Sequence, residues 1–389
     1  MRPYSISRLR YRNCMFVGIT LSVSCCTFIL MITSQTNPFV GHVSENQPIR
    51  TAFGSFIPFK KRKTVILSWR RPWGYAWKGH AEGHTVGECV LTYDRSRIQE
   101  AAAVIFHYTA LDEETLPWKH FRKPSQYYVF WAMDNPAYMR NNENFHPNHF
   151  DRAFINWTMT YRLMSDVFYP FLNMEMAKNI FSRGSDFVEE NLKHKEKLAL
   201  WVVNDCELLR GSKLRMEYAN ALVEAGLPLD RYGWCFNNKQ AYKKLSDEVL
   251  LSYKFYLAFE ETQNCIDYLT DEFWEKGVLM GRVPVVWGPT KMTVARLAPP
   301  GSYIHTDNFE SPAKLVEYLL YLDQNDEAYL KYFDWYVNPN SETIRVQELY
   351  KITGEELLCR KLLDNPRRKV TGDISYFQYG QDWGKCIDS

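Results

Sequence analysis

The sequence predicts an α/β protein of two doubly wound, Rossmann-like domains facing a cleft, carried behind an N-terminal transmembrane helix. Three observations predict it: near-continuous apolar runs of strand length, helical stretches alternating with them twice over, and a long uncharged run behind a basic N-terminus. Such runs mark strands covered on both faces, as in parallel sheets flanked by helices. The 389 residues suffice for two domains, and the 46% hydrophobic content supplies their cores.

Arg2, Arg8, Arg10 and Arg12 form a basic tail (1–13) before CMFVGITLSVSCCTFILMIT, residues 14–33. At ~1.5 Å per residue this run crosses a hydrocarbon core of roughly 30 Å. A cleaved signal peptide would have a shorter apolar region and a small-residue cleavage site, so the run reads as a signal anchor. Basic residues before it keep the tail cytosolic and send the remainder to the lumen, which describes a type II membrane protein. Residues 34–62, with Pro38, Pro48, Pro58 and KKRK, read as a stem.

A first domain, 63–190, carries the runs TVILSW, AAVIFHY and YYVFWAM. The polar passage SRGSDFVEENLKHKEK is a linker or connecting helix. The second domain, 191–350, carries LALWVV, FYLAFE, VPVVWG and YIH. Between its first strands SKLRMEYANALVEAG predicts a helix, with Ser212 as N-cap, a stripe of Leu214, Tyr218, Ala221, Leu222 and Ala225, and Gly226 as the stop. Residues 351–389 form a tail packing back on the fold.

Six cysteines follow the apolar run, an even set for an oxidising lumen, so disulfides are expected; proximity suggests Cys359 with Cys386. Asn156-Trp157-Thr158 is a glycosylation sequon, although it lies in a strand-like segment. A net charge of +2 gives no polyelectrolyte signature, so no nucleic-acid partner is expected. There is no G-x-G-x-x-G, Walker A loop, H-E-x-x-H or G-x-S-x-G, and no two aspartates are separated by one residue. Without such an aspartate pair to hold a metal, a departing diphosphate would be neutralised by Arg, Lys and helix N-termini. No metal ligand set and no obligatory cofactor is therefore expected; a divalent metal would be stimulatory at most.

Several blocks together resemble the α-1,3-fucosyltransferase family. They are KPSQYYVFWAMDNPAY, FINWTMTYRLMSDVFYPF (154–171), WVVNDC with RMEYANAL, and YKFYLAFE running through DYLTDEFW and VPVVWGP to APPGSYIHTDNFESPAKLVEYL. The resemblance covers roughly residues 64–336 and implies a GT-B architecture. It implies inverting transfer of L-fucose from GDP-fucose to the 3-hydroxyl of N-acetylglucosamine, on a glycoprotein or glycolipid acceptor, at the Golgi membrane. The first domain would take the glycan acceptor and the second the donor.

On that resemblance Asp134 is the expected catalytic base, although Asp134-Asn135-Pro136 is equally good turn chemistry. Arg215 is expected on the donor diphosphate, and Asn204, Tyr253, Glu260, Tyr268, Asp271 and Lys276 are the other donor-side candidates. Arg162 is site-organising or ties the two domains together. Three departures from the family pattern stand out: Asp134 where it has Glu, Glu261 where it has Asn, and Thr270-Asp271-Glu272 where it has Thr-Glu-Lys. Lys276, one turn beyond Glu272, supplies the missing charge or pairs with Glu272; Arg282 is a second source. The changes at Asp134, Glu261 and Glu272 also admit a second reading, a catalytically weak or inactive glycan-binding relative. WGYAWKGHAEGH, 73–84, is an acceptor-groove lining or a stem-proximal cap.

Overall fold

The computed structural model describes residues 63–71, 80–110, 116–117, 122–140, 154–364, 369–379 and 386. The expected tail, anchor and stem lie outside them, as does most of 73–84. Among the described residues no helix is long and apolar enough to cross a membrane.

The chain builds two sheets. The first orders β1 (Thr64–Ser68), β2 (Thr85–Val86), β3 (Cys89–Thr92), β4 (Ala101–His107), β5 (Tyr127–Ala132), β6 (Trp157–Thr160) and β7 (Val167–Phe168) as β2-β3-β1-β4-β5-β6-β7. Every pairing is parallel except the β2–β3 hairpin. The second orders β8 (Lys197–Val202), β9 (Leu229–Tyr232), β10 (Tyr253–Phe259), β11 (Val283–Trp287) and β12 (Ile304–His305) as β12-β11-β10-β8-β9, all parallel.

The apolar runs become strands because both faces are covered. Val104, Phe106, Tyr128 and Phe130 enter a core on one face of the first sheet, and Ala103, Ile105, Val129 and Trp131 a core on the other. β10 is buried along its whole length. Strand order reverses once in each sheet: β1 lies between β3 and β4, and β8 between β9 and β10. Crevices at such reversals, beyond the carboxyl ends of the strands, are where open α/β sheets bind ligands.

The polar passage after residue 181 contains a connecting helix, Ser185–Lys193. The next helix, Arg210–Glu224, starts before the predicted Ser212 cap. Asp205 winds the chain first, accepting from the amides of Glu207 (3.2 Å) and Leu208 (2.9 Å) and from Ser212 Oγ (2.6 Å). Ser212 is therefore a buried residue inside the helix. The buried face is Gly211, Ser212, Arg215, Ala219 and Leu222; it shares only Leu222 with the predicted stripe, because the helix turns a buried arginine inward. Gly226, at φ 97°, ends it as expected.

All six cysteines after the apolar run are paired, but not as proximity suggested: Cys359 joins Cys89, Cys386 joins Cys265, and Cys206 joins Cys235. The C-terminal segment returns to the first sheet. The Gly354–Leu363 helix lies so close to Tyr169 that a Cβ on Gly354 would strike the ring, and Tyr169 Oη donates to Glu355 (2.6 Å). Asn156 also departs from the glycosylation reading. It is fully buried, its Oδ1 accepts from Tyr128 N (2.9 Å) and from Arg122, and its Nδ2 donates to Lys369 O (2.9 Å). A glycan on that nitrogen would have no room and would break the bond to the returning segment.

Candidate active site

The carboxyl ends of the two sheets meet. After β5, Asp134 takes a hydrogen bond from Tyr108, which follows β4. Burial raises the Asp134 carboxyl above the usual aspartate range, and the Tyr108 hydroxyl pulls it partly back. Asn135 is fully buried; its Oδ1 accepts from Tyr138 N (2.8 Å), and its Nδ2 donates across to Glu261 Oε1 (2.6 Å) beyond β10. Tyr138 is 39% exposed; partial burial, and then the charges of Asp134, Asp205 and Glu261, raise its hydroxyl above the usual range.

On the second sheet the reversal between β8 and β10 is spanned by Arg215. Its guanidinium donates to Phe259 O (2.7 Å) at the end of β10 and to Asp205 O (2.8 Å) after β8. Its Nε is buried without a partner. A Cβ on Gly211 would run into the Glu261 carbonyl, so a glycine lets this helix start press against the loop after β10.

Glu260 and Glu261 divide their work. Glu260, 1% exposed, accepts from Thr270 N (2.9 Å) and Thr270 Oγ1 (3.0 Å), and Thr270 caps the Asp271–Trp274 helix. It holds the start of that helix from inside the fold. Glu261 Oε1 accepts from Asn135 and from Tyr268 Oη (2.7 Å). Burial raises the Glu261 carboxyl, opposed by the adjacent Arg215 guanidinium and reinforced by Asp134. Tyr268 is core as well as site: its ring stands edge-on to Tyr161 (5.0 Å) and Phe171 (5.6 Å).

The acidic helix start resolves by pairing. Glu272 Oε2 accepts from Tyr256 Oη (2.6 Å), and Oε1 binds Lys276, whose Nζ is also 3.7 Å from Asp271 Oδ2. Tyr256 lies mid-strand in β10 and its Oη is also 3.4 Å from Val202 O at the end of β8, so a buried hydroxyl ties the Glu272 carboxylate to the sheet. Lys276 therefore neutralises its own helix. Arg282 is spent on the carbonyls of Lys276 (2.8 Å) and Leu250.

Two other expectations are corrected. Tyr253 opens β10 and donates to Asp230 (2.6 Å), about 20 Å of strand away from Phe259 and the cleft. It is not placed to touch a donor, because position on a buried strand depends on direction as well as composition. Arg162 donates to Phe377 O (2.5 Å) and lies over that ring, so it anchors the C-terminal Ile374–Tyr379 helix. The lobes are instead joined by Asp267, which accepts from Leu163 N (3.0 Å) and pairs with Arg296 (3.1 Å). Asn204 is exposed after β8; its Oδ1 accepts from Trp234 N (3.1 Å), and the Cys206–Cys235 bridge pins the same two loops. Trp234 itself is 61% exposed at this rim, a residue sequence patterning passed over. Among the described residues no three His, Cys, Asp or Glu side chains are grouped to hold a metal ion.

The chain matches "Fucosyltransferase, N-terminal" over residues 61–172 and "Glycosyltransferase family 10 (fucosyltransferase) C-term" over 192–377. It is 28% identical over 380 residues to a 3-galactosyl-N-acetylglucosaminide 4-alpha-L-fucosyltransferase of Bos taurus, covering 92% of this chain and 94% of that one. It is 31% identical over 291 residues to a 4-galactosyl-N-acetylglucosaminide 3-alpha-L-fucosyltransferase of Homo sapiens, covering 74% and 72%. Its fold is similar to the crystal structure of an alpha1,3-fucosyltransferase with GDP-fucose, at a TM-score of 0.52 and 17% identity, covering 79% of this chain and 91% of that one. Two lobes meeting at their strand ends, matched in order by both halves of one family, identify the chain as a member of glycosyltransferase family 10, the fucosyltransferases.

Proposed function

We propose that this protein transfers L-fucose from GDP-fucose to the 3-hydroxyl of N-acetylglucosamine in galactosyl-N-acetylglucosamine glycans, with inversion, from a type II anchor in the Golgi membrane. The observation that carries this reading is the half-buried Asp134 carboxylate standing where the two sheets meet, with Arg215 spanning the strand-order reversal of the second lobe. Inverting transfer needs one base to take the acceptor proton as the sugar carbon becomes cationic. Asp134 is that base: its raised carboxyl is a stronger proton acceptor than an ordinary aspartate, and Tyr108 fixes its orientation. The departing diphosphate is met by the start of the 15-residue Arg210–Glu224 helix, with exposed Arg210 and Lys213 there and Arg215 behind it. The names of the relatives, galactosyl-N-acetylglucosaminide fucosyltransferases, support the acceptor class.

The inactive, glycan-binding reading rests on the changes at Asp134, Glu261 and Glu272; for Glu272, pairing with Tyr256 and Lys276 supplies partners other than a phosphate. The test is transfer from GDP-fucose to a glycan panel, with and without chelator. Transfer to galactosyl-N-acetylglucosamine that persists in chelator is the expected result. No transfer to any acceptor, with no calorimetric GDP binding, would overturn the reading.

A further inference from the structure

Asn135 and Glu261 lie 126 residues apart, in the segments that follow strands of different sheets, and are joined by a 2.6 Å hydrogen bond. The side-chain amide is committed at both ends, since its Oδ1 accepts from Tyr138 N (2.8 Å) and its Nδ2 donates to Glu261. Fully buried, it has no water to turn to if Glu261 withdraws. Glu261 is in turn fixed by the second lobe: Tyr268 donates to the same oxygen at 2.7 Å, and Arg215 balances its charge. We propose that Glu261 is a positioning residue for transfer, one that clamps Asn135 and so holds the neighbouring Asp134 carboxylate in register with the donor-side lobe.

The assignment rests on the fucosyl-transfer reading. It makes placement of the base a joint property of both lobes: Tyr108 orients Asp134 from the first, and Glu261 sets its distance from the second. Losing the clamp leaves Asn135 Nδ2 and Tyr268 Oη without their acceptor, and a displacement of ~1 Å at a reacting centre costs around a hundredfold in rate. Glu261 touches neither reacting atom in this account, so the loss falls on kcat and not on donor affinity.

Steady-state kinetics of the whole chain test it, with melting temperature measured alongside. Glu261→Ala is expected to lower kcat by about 30- to 100-fold while KM for GDP-fucose moves less than about threefold. Glu261→Gln, which keeps an acceptor oxygen for Asn135 and Tyr268, recovers most of that loss. Asn135→Ala matches Glu261→Ala, and the double variant is no worse than either. A raised KM with kcat intact would make Glu261 a donor contact and overturn the proposal, as would losses that multiply in the double variant. Should Glu261→Ala fail to fold, a Glu261→Gln protein with normal melting and a kcat lowered by about 30-fold or more overturns it equally. An unsubstituted chain that transfers no fucose overturns the function itself, and is recognised because it fails before any variant is compared.

Discussion

Asp134 stands among partners drawn from other elements, Tyr108 after β4 and, through Asn135, Glu261 after β10. An aspartate two residues past the end of a buried strand was legible from Asp134-Asn135-Pro136; Tyr108 and Glu261, which give it an environment, were not. Those partners come from other strands, and strand order is invisible to local periodicity. The departures at positions 134 and 261 also turn out to be neighbours, through Asn135. If Asp134 is the base, Asp134→Ala should lower kcat by about 10²- to 10⁴-fold. Because burial raises its carboxyl, the acid limb of the rate profile should lie above an ordinary aspartate's: activity falls as pH drops through the raised pKa and the carboxylate takes a proton. Tyr108→Phe removes a bond that favours the ionised form, so it should move that limb upward. An acid limb unmoved or moved downward in Tyr108→Phe would contradict this assignment.

The short Asp271–Trp274 helix shows how an element can be legible while its side chains are not. Thr270 followed by two acids reads correctly as a capped helix start. Where Glu272 points depends on Tyr256, a strand residue that no helical pattern reveals. Lys276 is three-quarters covered and Glu272 more so, and removing one partner leaves the other charge uncompensated. Lys276→Met should therefore destabilise the fold by about 2 kcal/mol, readable as a lowered melting temperature. Glu272→Gln should leave the Kd for GDP within about threefold, because this carboxylate is already paired with Lys276 and Tyr256. A GDP affinity tenfold tighter would show that it repels phosphate after all. The Arg210–Glu224 helix makes the same point in reverse: its existence and its glycine stop were readable, but its inward face was set by the seat that Arg215 needs.

At the scale of the molecule, two doubly wound lobes were legible because fully buried parallel strands leave continuous apolar runs. The return of the C-terminal segment to the first sheet was not, since nothing in its periodicity says which lobe it covers. It is held there by Cys89–Cys359, which closes a separation of 270 residues. A loop of that length stabilises by on the order of 5 kcal/mol in the chain-entropy account, so the Cys89→Ser, Cys359→Ser protein should melt well below the parent. Equal melting temperatures would mean that packing of the Gly354–Leu363 helix alone carries the return.

That bridge also bears on how the protein is born. A ribosome adding ~5–20 residues per second needs roughly 15 to 50 seconds to travel from the first cysteine of the pair to the second. Cys206 and Cys235 emerge and can join meanwhile, so the earlier thiol must stay reduced, or be released from a wrong partner, until nearly the whole polypeptide exists. Maturation then waits on thiol exchange late in synthesis, and an oxidoreductase that withdraws mispaired bonds would set the yield of active molecules.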